Sequence, residues 1–344
     1  MRFTTIGQNG ELSISVIGFG TYHLTDKVGE AEAIRCLHAA QASGIELVDT
    51  SDNYRTELLV GHALYHSPQP EQLIIATKTG LATTYEEHLR LIKQQRQADT
   101  SPARVRSHLG DSLRMLGMGS VHLYQLHGYD HTVSPEDLAI TMHELVAKER
   151  RALYWGVSNY TYEQLERLLA ACDKLDTVRP ATLQQFYNLI TNASDSVVDL
   201  ASDQGMTLLA HSPLHKGMLA EGLLDDYEKV VEQAIKENTD EKFAKLYEKM
   251  RSAIWQIRRL QAYANEHGYT LSEFALAWLV NRPLTIALTA CTNVEYLEAA
   301  DNATNWIIDD YGMSLVEEVR NDEAITACWS GMLNYARETK HYYR

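Results

Sequence analysis

Short apolar runs alternate with segments of helical periodicity along most of this chain. The runs are typical of buried strands, and between them apolar positions recur every three or four residues, as on one face of a helix. Counted from residue 15, eight strands are predicted, at 15–20, 46–49, 73–77, 122–125, 152–157, 182–186, 206–210 and 285–288. Helices are predicted over 29–43, 56–65, 102–116, 135–150, 163–171, 194–204, 254–267 and 271–281, and 81–101 is predicted to be a long loop with a helical turn.

Eight β-α units in one chain of 344 residues predict a (β/α)8 TIM barrel, an α/β fold. The alternative is an open doubly wound sheet, whose dinucleotide-binding form carries a G-x-G-x-x-G motif after its first strand. Here Gly18-Phe19-Gly20 is followed by Thr21-Tyr22-His23, without the third glycine. The barrel is therefore favoured, as a single domain over residues 1–344.

Three additions to the barrel are predicted. Near the start, 3–6 and 12–14 flank Asn9-Gly10, which indicates a β-hairpin because both central residues of such a turn need positive φ. After the seventh strand, the charged stretch 218–252 is longer than a connection requires, which indicates a helical excursion. This excursion is either a solvated surface element or a lid over a cofactor. The tail, about 310–344, is predicted to be helical.

Composition excludes several classes of protein. An apolar content of 45% with 22% charged residues predicts a globular protein with a sizeable core. The net charge of −15, from 31 basic and 46 acidic residues, argues against nucleic acid and anionic membranes as partners. No apolar run is long enough to span a bilayer, and the amino terminus lacks the apolar core of a signal peptide. The 4 cysteines have no C-x-x-C spacing, so free thiols in a reducing cytoplasm are expected.

Polar residues follow three successive strands. Asp49 ends the second predicted strand and Tyr54 follows it, while Lys78 and His127 end the third and fourth. The carboxyl ends of barrel strands converge, so these side chains are expected to meet. A lysine cation beside Tyr54 is expected to lower the pKa of the phenol from its usual ~10, with Asp49 keeping the lysine charged. The histidine can donate to, or orient, a substrate oxygen. This pattern predicts a site that protonates a carbonyl oxygen while a hydride reaches the carbon.

Each of these residues also has a simpler interpretation. An aspartate at a strand end is often a helix cap, a lysine there is usually solvated, and a histidine is often structural. Their coincidence around one tyrosine favours the catalytic interpretation. A metal site is not predicted, because His211 and His215 are not accompanied by a carboxylate or cysteine at ligand spacing.

Over nearly its whole length the chain resembles the aldo-keto reductase superfamily. The resemblance rests on seven stretches that are together highly specific. They are Gly18-Phe19-Gly20-Thr21, Asp49-Thr50-Ser51-Asp52-Asn53-Tyr54, Ala76-Thr77-Lys78, Leu126-His127-Gly128-Tyr129-Asp130, Gly156-Val157-Ser158-Asn159-Tyr160, Gln184-Gln185-Phe186-Tyr187-Asn188-Leu189 and Ser212-Pro213-Leu214.

The resemblance implies an oxidoreductase that interconverts a small carbonyl compound and an alcohol. Tyr54 would be the general acid, tuned by Asp49 and Lys78, with His127 at the substrate oxygen. The family's cofactor is normally NADPH, bound without a Rossmann motif. The implied cofactor-binding residues are Thr21, Ser158, Asn159, Gln184, His211, Ser212, Leu214, Gly217, Thr292 and Asn293. Tyr22 and Tyr129 are expected to line the substrate pocket.

The chain departs from the family pattern where the cofactor is held. His211 replaces the usual tyrosine before Ser-Pro-Leu, and Thr289-Ala290 replaces Pro-Gly after the eighth strand. By spacing, Tyr296, Ala299 and Ala300 take the positions of the Arg or Gln and the Glu-Asn that contact the adenosine half. No lysine or arginine lies between Thr289 and Ala300 to pair with a 2′-phosphate. These changes predict weak NADPH binding and poor discrimination against NADH.

Two other functions remain open at this stage. A cofactor-sensing binding subunit would need no tuned tyrosine. A redox-neutral lyase or dehydratase would use Tyr54, Lys78 and Asp49 without a nicotinamide.

Overall fold

A closed barrel of eight parallel strands forms the centre of the molecule in the computed structural model. The structure describes residues 1–7, 10–24, 28–237, 241–289 and 295–326. The barrel strands, in chain order, are β3 (Ile17–Gly20), β4 (Leu47–Asp49), β5 (Ile74–Thr79), β6 (Val121–Leu126), β7 (Ala152–Ser158), β8 (Thr182–Phe186), β9 (Thr207–His211) and β10 (Thr285–Thr289). Each strand pairs with its chain neighbours, and β10 closes on β3 with Ala287 opposite Ile17. The predicted (β/α)8 barrel is confirmed and the open sheet is excluded.

An antiparallel hairpin closes the amino-terminal end of the barrel. It consists of β1 (Phe3–Ile6) and β2 (Leu12–Ser15). Ile6 and Ile14 are fully buried in one cluster with residues near the strand starts, such as Leu47 and Ile286. Because the hairpin covers the amino-terminal end of the barrel, a functional site is expected at the opposite end, among the loops that follow the strands.

Twelve helices are described around the barrel and its extensions. They are α1 (Glu30–Ala42), α2 (Glu57–Tyr65), α3 (Tyr85–Lys93), α4 (Pro102–Leu116), α5 (Pro135–His143), α6 (Tyr162–Leu175), α7 (Asp195–Asp203), α8 (Glu221–Glu237), α9 (Glu241–Glu266), α10 (Leu271–Val280), α11 (Glu295–Asn305) and α12 (Asp310–Arg320). Local chemistry explains many of their starts. Pro102 and Pro135 open helices at a position where proline loses no hydrogen bond, and Thr161 and Thr270 form capping boxes. Among the described helices, none is both long and apolar enough to cross a membrane.

The structure corrects three predicted elements. The range 81–101 contains the helix α3, whose first turn is capped by the Thr84 side chain. Helix α9 is continuous through the boundary expected near 252–254, because no glycine or proline interrupts Glu241–Glu266. Helix α5 ends at His143, and a π-helical turn over Glu144–Lys148 completes the segment that was expected to be regular to 150.

The excursion after β9 is an antiparallel pair of long helices, α8 and α9. Arg258 of α9 forms ion pairs with Asp225 and Glu228 of α8. On its other side, α9 binds α12 through an ion pair between Arg259 and Glu318. Most of the excursion therefore belongs to the outer layer of helices. Of the predicted tail, α12 is described, and residues 327–344 lie outside the described part of the chain.

Candidate active site

A pocket with a cavity volume of about 660 Å³ opens at the carboxyl ends of the barrel strands. The strand ends contribute its polar wall, with Asp49 from β4, Ser158 from β7, Gln184 from β8 and His211 from β9. His127, directly after β6, lines it as well. The parallel strands bring these residues together from distant parts of the chain, as the sequence predicted.

Lys78 and Asp49 form a buried ion pair beneath the pocket. The lysine Nζ lies 2.7 Å from both carboxylate oxygens of Asp49 and 2.8 Å from the carbonyl oxygen of Thr50. An ammonium has three N–H donors, so these three acceptors use all of them. Burial lowers the pKa of Lys78, although the Asp49 carboxylate opposes the shift. These three hydrogen bonds fix the ammonium group of Lys78 in place.

Tyr54 lies in a one-turn 3-10 helix, Asp52–Tyr54, after β4. Its hydroxyl is 3.5 Å from His127 Nε2, and Lys78 Nζ is 4.8 Å from the centre of its ring. The predicted lowering of its pKa is wrong for this state. Burial, followed by the negative charge of Asp49, raises the pKa of Tyr54 well above 10. Tyr54 therefore carries a proton at neutral pH.

His127 is a neutral imidazole between two hydroxyl groups. Burial, with the positive charge of Lys78 as the second cause, lowers the pKa of His127 well below its usual value. Its Nδ1 lies 3.0 Å from Ser51 Oγ, and its Nε2 faces Tyr54. The sequence analysis did not single out Ser51, although it lies inside the Asp49–Tyr54 motif.

Three polar residues form the wall opposite Tyr54. Asn159, with a left-handed φ of 60°, donates from Nδ2 to the carbonyl oxygen of His127 at 3.0 Å and to Ser158 Oγ at 3.1 Å. Gln184 Nε2 donates to Asp49 Oδ1 at 3.0 Å. The predicted cofactor wall is thus hydrogen-bonded to the predicted catalytic residues.

The loop after β9 supplies another wall. Ser212, Leu214 and Gly217 all line the pocket, as do Lys216 and Leu223, the latter on α8. Ser212, Lys216 and Gly217 have φ of 56°, 55° and 92°. The φ of Gly217 lies in the region that side chains of L residues rarely adopt, so a substitution there would be strained. Loops with left-handed residues can present backbone N–H groups to an anion.

The aldo/keto reductase family model matches residues 16–321. This chain belongs to the aldo/keto reductase family. Aldo-keto reductase YhdN of Bacillus subtilis (strain 168) is 30% identical over 320 residues, which is 90% of each chain. Family membership supports an oxidoreductase.

Two solved aldo-keto reductase structures from Klebsiella pneumoniae share the fold of this family member at 19% identity and a TM-score of 0.69. One is a complex with NADPH, and the alignment covers 94% of this chain and 97% of that one. The other is a complex with NADP and acetate, with 93% and 96% covered.

Not every expected site residue of this aldo/keto reductase reaches the pocket wall. Tyr22 does, 59% exposed, with its ring 5.1 Å from that of Tyr54. Thr21 is fully buried and bonds the carbonyl oxygen of Asp49, so its side chain supports the strand end. Tyr129 packs edge-on against Tyr160 and does not line the described pocket.

The structure describes only some of the residues that were predicted to contact the adenosine half of the cofactor. Thr292 and Asn293 lie outside the described residues, and the side chain of Tyr296 is not described. Ala300 is fully buried in the core, so it has no side chain available for a cofactor.

The described residues contain neither a cluster of candidate metal ligands nor a disulfide. Within the described ranges, no three His, Cys, Asp or Glu side chains are grouped to hold a metal ion. Cys36 and Cys172 are buried free thiols, and Cys291 and Cys328 lie outside the described residues.

Proposed function

We propose that this protein is an NADP(H)-dependent oxidoreductase that interconverts an aldehyde or ketone and the corresponding alcohol, with Tyr54 as the general acid. The observation that carries the proposal is the position of Tyr54 on the pocket wall, with its hydroxyl 3.5 Å from His127 Nε2 and beside a buried Lys78–Asp49 ion pair. The family assignment and the NADPH-bound relative support the same reaction.

Each residue has a distinct task in the proposed reaction. Tyr54 donates its proton to the substrate oxygen, which gains negative charge as the carbonyl is reduced. The resulting phenolate is stabilised by the Lys78 cation, 4.8 Å from the tyrosine ring. Asp49 holds that cation in place through two hydrogen bonds. Such a positioned acid contributes about 10²–10⁴-fold to the rate.

The residues on the wall fit a nicotinamide dinucleotide. Gln184 donates from Nε2 to Asp49, which leaves its Oε1 to accept from the carboxamide, with Ser158 and Asn159 beside it. The loop that includes Ser212 and Gly217 has left-handed backbone, which can present N–H groups to a phosphate. The bound cofactor would supply the hydride to the carbonyl carbon.

Oxidation of NADPH in the presence of a panel of aldehydes and ketones tests this function directly. Absorbance of the reduced cofactor is followed with wild-type protein and with a Tyr54→Phe control. Turnover by the wild type above that control supports the proposal. If no compound in a broad panel is turned over faster by the wild type than by the Tyr54→Phe control, the proposal is refuted.

Cofactor binding is expected to be weak because Tyr296, Ala299 and Ala300 replace the residues that contact the adenosine half in the family. Hydrogen bonds contribute ~1 kcal/mol each, and those to charged groups about 1.5–3. Losing two or three of them would weaken NADPH binding by roughly 10²-fold or more relative to relatives that keep the contacts. Calorimetric titration with NADPH and NADH measures both affinities, which are expected to be weak and similar.

Two outcomes of that titration contradict the expectation. Tight, NADPH-selective binding would mean that other groups, such as Lys216, replace the missing contacts. No binding of either cofactor, together with Tyr54-dependent activity, would favour the redox-neutral reaction.

Replacing His211 by tyrosine is expected to strengthen nicotinamide binding. The imidazole lies on the pocket wall beside Phe186, and burial lowers the pKa of His211 to about 4, so it is neutral. A larger ring stacks over more surface, and aromatic pairs contribute about 0.5–1.5 kcal/mol beyond area burial. That corresponds to a roughly 2- to 10-fold lower Kd for NADPH. A His211→Phe variant separates stacking from the added hydroxyl, and weaker binding by both variants would contradict the expectation.

A further inference from the structure

We propose that His215 is a positioning residue for NADP(H), whose buried ring holds the loop after β9 in the conformation that lines the pocket. This loop, residues 212–217, is called the β9 loop. The proposal rests on the function proposed above, because that function places the cofactor against the β9 loop. It assigns a role to a side chain that does not itself reach the described pocket.

Every residue of the β9 loop except His215 lines the pocket. The lining residues are Ser212, Pro213, Leu214, Lys216 and Gly217. His215 is 3% exposed and is surrounded by the protein instead. It can therefore act on a cofactor only through the backbone of the loop that carries it.

The imidazole of His215 is held by side chains at the end of β8 and in the loop that follows. Its Nδ1 lies 3.3 Å from Asn188 Oδ1 and 3.3 Å from Thr191 Oγ1. Thr191 Oγ1 itself donates to Asn188 Oδ1 at 2.9 Å, so the three groups form a closed triangle. Phe186, the last residue of β8, packs edge-on against the imidazole with the ring centres 5.2 Å apart. The ring is thus fixed by polar and by aromatic contacts.

Counting donors places the proton of the imidazole on Nδ1. The Asn188 amide nitrogen donates to the carbonyl oxygen of Ser212 at 3.3 Å, so its Oδ1 is the atom that faces His215. An amide oxygen only accepts, and the contact between Nδ1 and Oδ1 therefore needs a proton on Nδ1. Burial lowers the pKa of His215 to about 3, so the ring is neutral at neutral pH and Nδ1–H is its single N–H group.

The backbone of the β9 loop needs such contacts to keep its conformation. Ser212, His215 and Lys216 have φ of 56°, 45° and 55°. This left-handed region is uncommon for residues other than glycine, and they persist in it only where the surrounding structure holds them. The contacts of Asn188 with His215 and with Ser212 hold two of the three. Because a left-handed backbone can present N–H groups to an anion, holding it prepares the loop for the phosphates of the cofactor.

Asn188 is itself held by the outer layer of helices. Arg320 of α12 donates from Nη1 to the carbonyl oxygen of Asn188 at 2.8 Å. The Arg320 side chain is buried, and its guanidinium carbon lies 4.7 Å from the ring centre of Trp278 on α10. His215 is therefore tied, through Asn188, to two packed helices. A positioning residue can hold a loop only as firmly as its own partners are held, and these partners are buried.

His215→Phe removes the polar contact and keeps an aromatic ring. It is expected to raise the Kd for NADPH about tenfold, since a lost hydrogen bond that leaves a buried acceptor unpaired has an effect of this size. The KM for NADPH should rise with it, while kcat at saturating NADPH stays close to that of the wild type. Calorimetric titration of the full-length protein with NADPH measures the affinity without any carbonyl substrate.

His215→Asn is the conservative variant that should keep the affinity. Its amide nitrogen is bonded to Cγ, as Nδ1 is in histidine, so it can donate to Asn188. Asparagine also adopts left-handed φ more readily than most residues do. Retained affinity in His215→Asn, beside the loss in His215→Phe, assigns the effect to the polar contact. Loss of affinity in both variants, or in neither, overturns the proposal.

The matched control is His267→Phe, at another histidine that combines a polar contact with aromatic packing. His267 Nδ1 lies 2.8 Å from the carbonyl oxygen of Tyr263, and its ring stacks on that of Trp306 with the centres 5.9 Å apart. His267 does not line the described pocket. This variant should bind NADPH as the wild type does, even where it is less stable. Weaker binding by the control as well would trace the effect to lost stability and would overturn the proposal.

A second readout needs no variant. In the full-length wild-type protein without ligand, 15N NMR of the His215 ring is expected to show a neutral imidazole with its proton on Nδ1. A proton on Nε2 alone would remove the contact with Asn188 from the argument and would overturn the proposal.

Failure of this proposal can be distinguished from failure of the proposed function. NADPH binding without reduction of any carbonyl compound refutes the function, and the titrations still test His215. Carbonyl reduction together with unchanged NADPH affinity in His215→Phe refutes only the role of His215. A wild-type protein that does not bind NADPH refutes both.

Discussion

Tyr54→Phe is expected to lower kcat for carbonyl reduction by about 10³-fold or more, within the upper range for loss of a general acid. The phenylalanine ring keeps the edge-on contacts with Tyr22 and His127, whose rings lie 5.1 and 5.5 Å away. Only the hydroxyl that carries the proton is lost. Steady-state kinetics with NADPH and a reactive aldehyde measures the effect.

The control for this variant is cofactor affinity. Tyr54→Phe should bind NADPH as the wild type does, because Ser158, Asn159 and Gln184 are untouched. Removal of the general acid predicts a much larger loss than tenfold. A Tyr54→Phe variant whose kcat stays within about tenfold of wild type would therefore show that another group donates the proton.

Lys78→Met is expected to affect both stability and activity. The substitution leaves the Asp49 carboxylate buried without its partner, and breaking a buried pair in this way typically costs about 3–5 kcal/mol of unfolding free energy. It also removes the cation that stabilises the Tyr54 phenolate. Urea unfolding monitored by tryptophan fluorescence measures the first effect, and aldehyde reduction measures the second.

A double variant separates these two effects. Asp49→Asn combined with Lys78→Met removes both charges, so much of the lost stability should return, since no unpaired charge remains buried. Activity should stay low, because the phenolate still lacks a cation. Recovery of activity in the double variant would show that Lys78 has only a structural role.

The contacts of Lys78 change the expected electrostatics of the site. A lysine cation near a phenol is usually expected to favour the phenolate. Here Asp49 receives two of the lysine hydrogen bonds, and burial and the carboxylate both raise the pKa of Tyr54. In this state Tyr54 therefore holds its proton more tightly than an unperturbed tyrosine does.

Only the beginning of the excursion after β9 lines the pocket, so the excursion as a whole is not a lid over the pocket. Ala220, directly before α8, and Leu223, in its first turn, line the pocket, whereas α9 is held by ion pairs to α8 and α12. We propose that the start of α8 alone, beside Gly217, covers the cofactor. The remainder of the α8–α9 pair then serves as a packed outer layer.

The sequence by itself determined the barrel and the strand ends at which the proposed catalytic residues lie. Hydrophobic periodicity depends on local geometry, so eight strands and the intervening helices were readable from it. Pro102 opened a helix because proline loses nothing at that position. The positions of Asp49, Lys78 and His127 at strand ends were readable because parallel strands in a barrel all present their carboxyl ends to one face.

Only the tertiary structure decided how these groups interact. The direction of the Tyr54 pKa shift depends on burial and on the negative charge of Asp49 nearby, and neither distance nor burial is encoded in sequence spacing. His108 meets Asp52 across a sequence separation of 56 residues, which no local pattern announces. Tyr129 turns toward Tyr160 and away from the pocket for a similar reason. Local geometry sets which element a residue occupies, whereas long-range packing sets which neighbours its side chain finds.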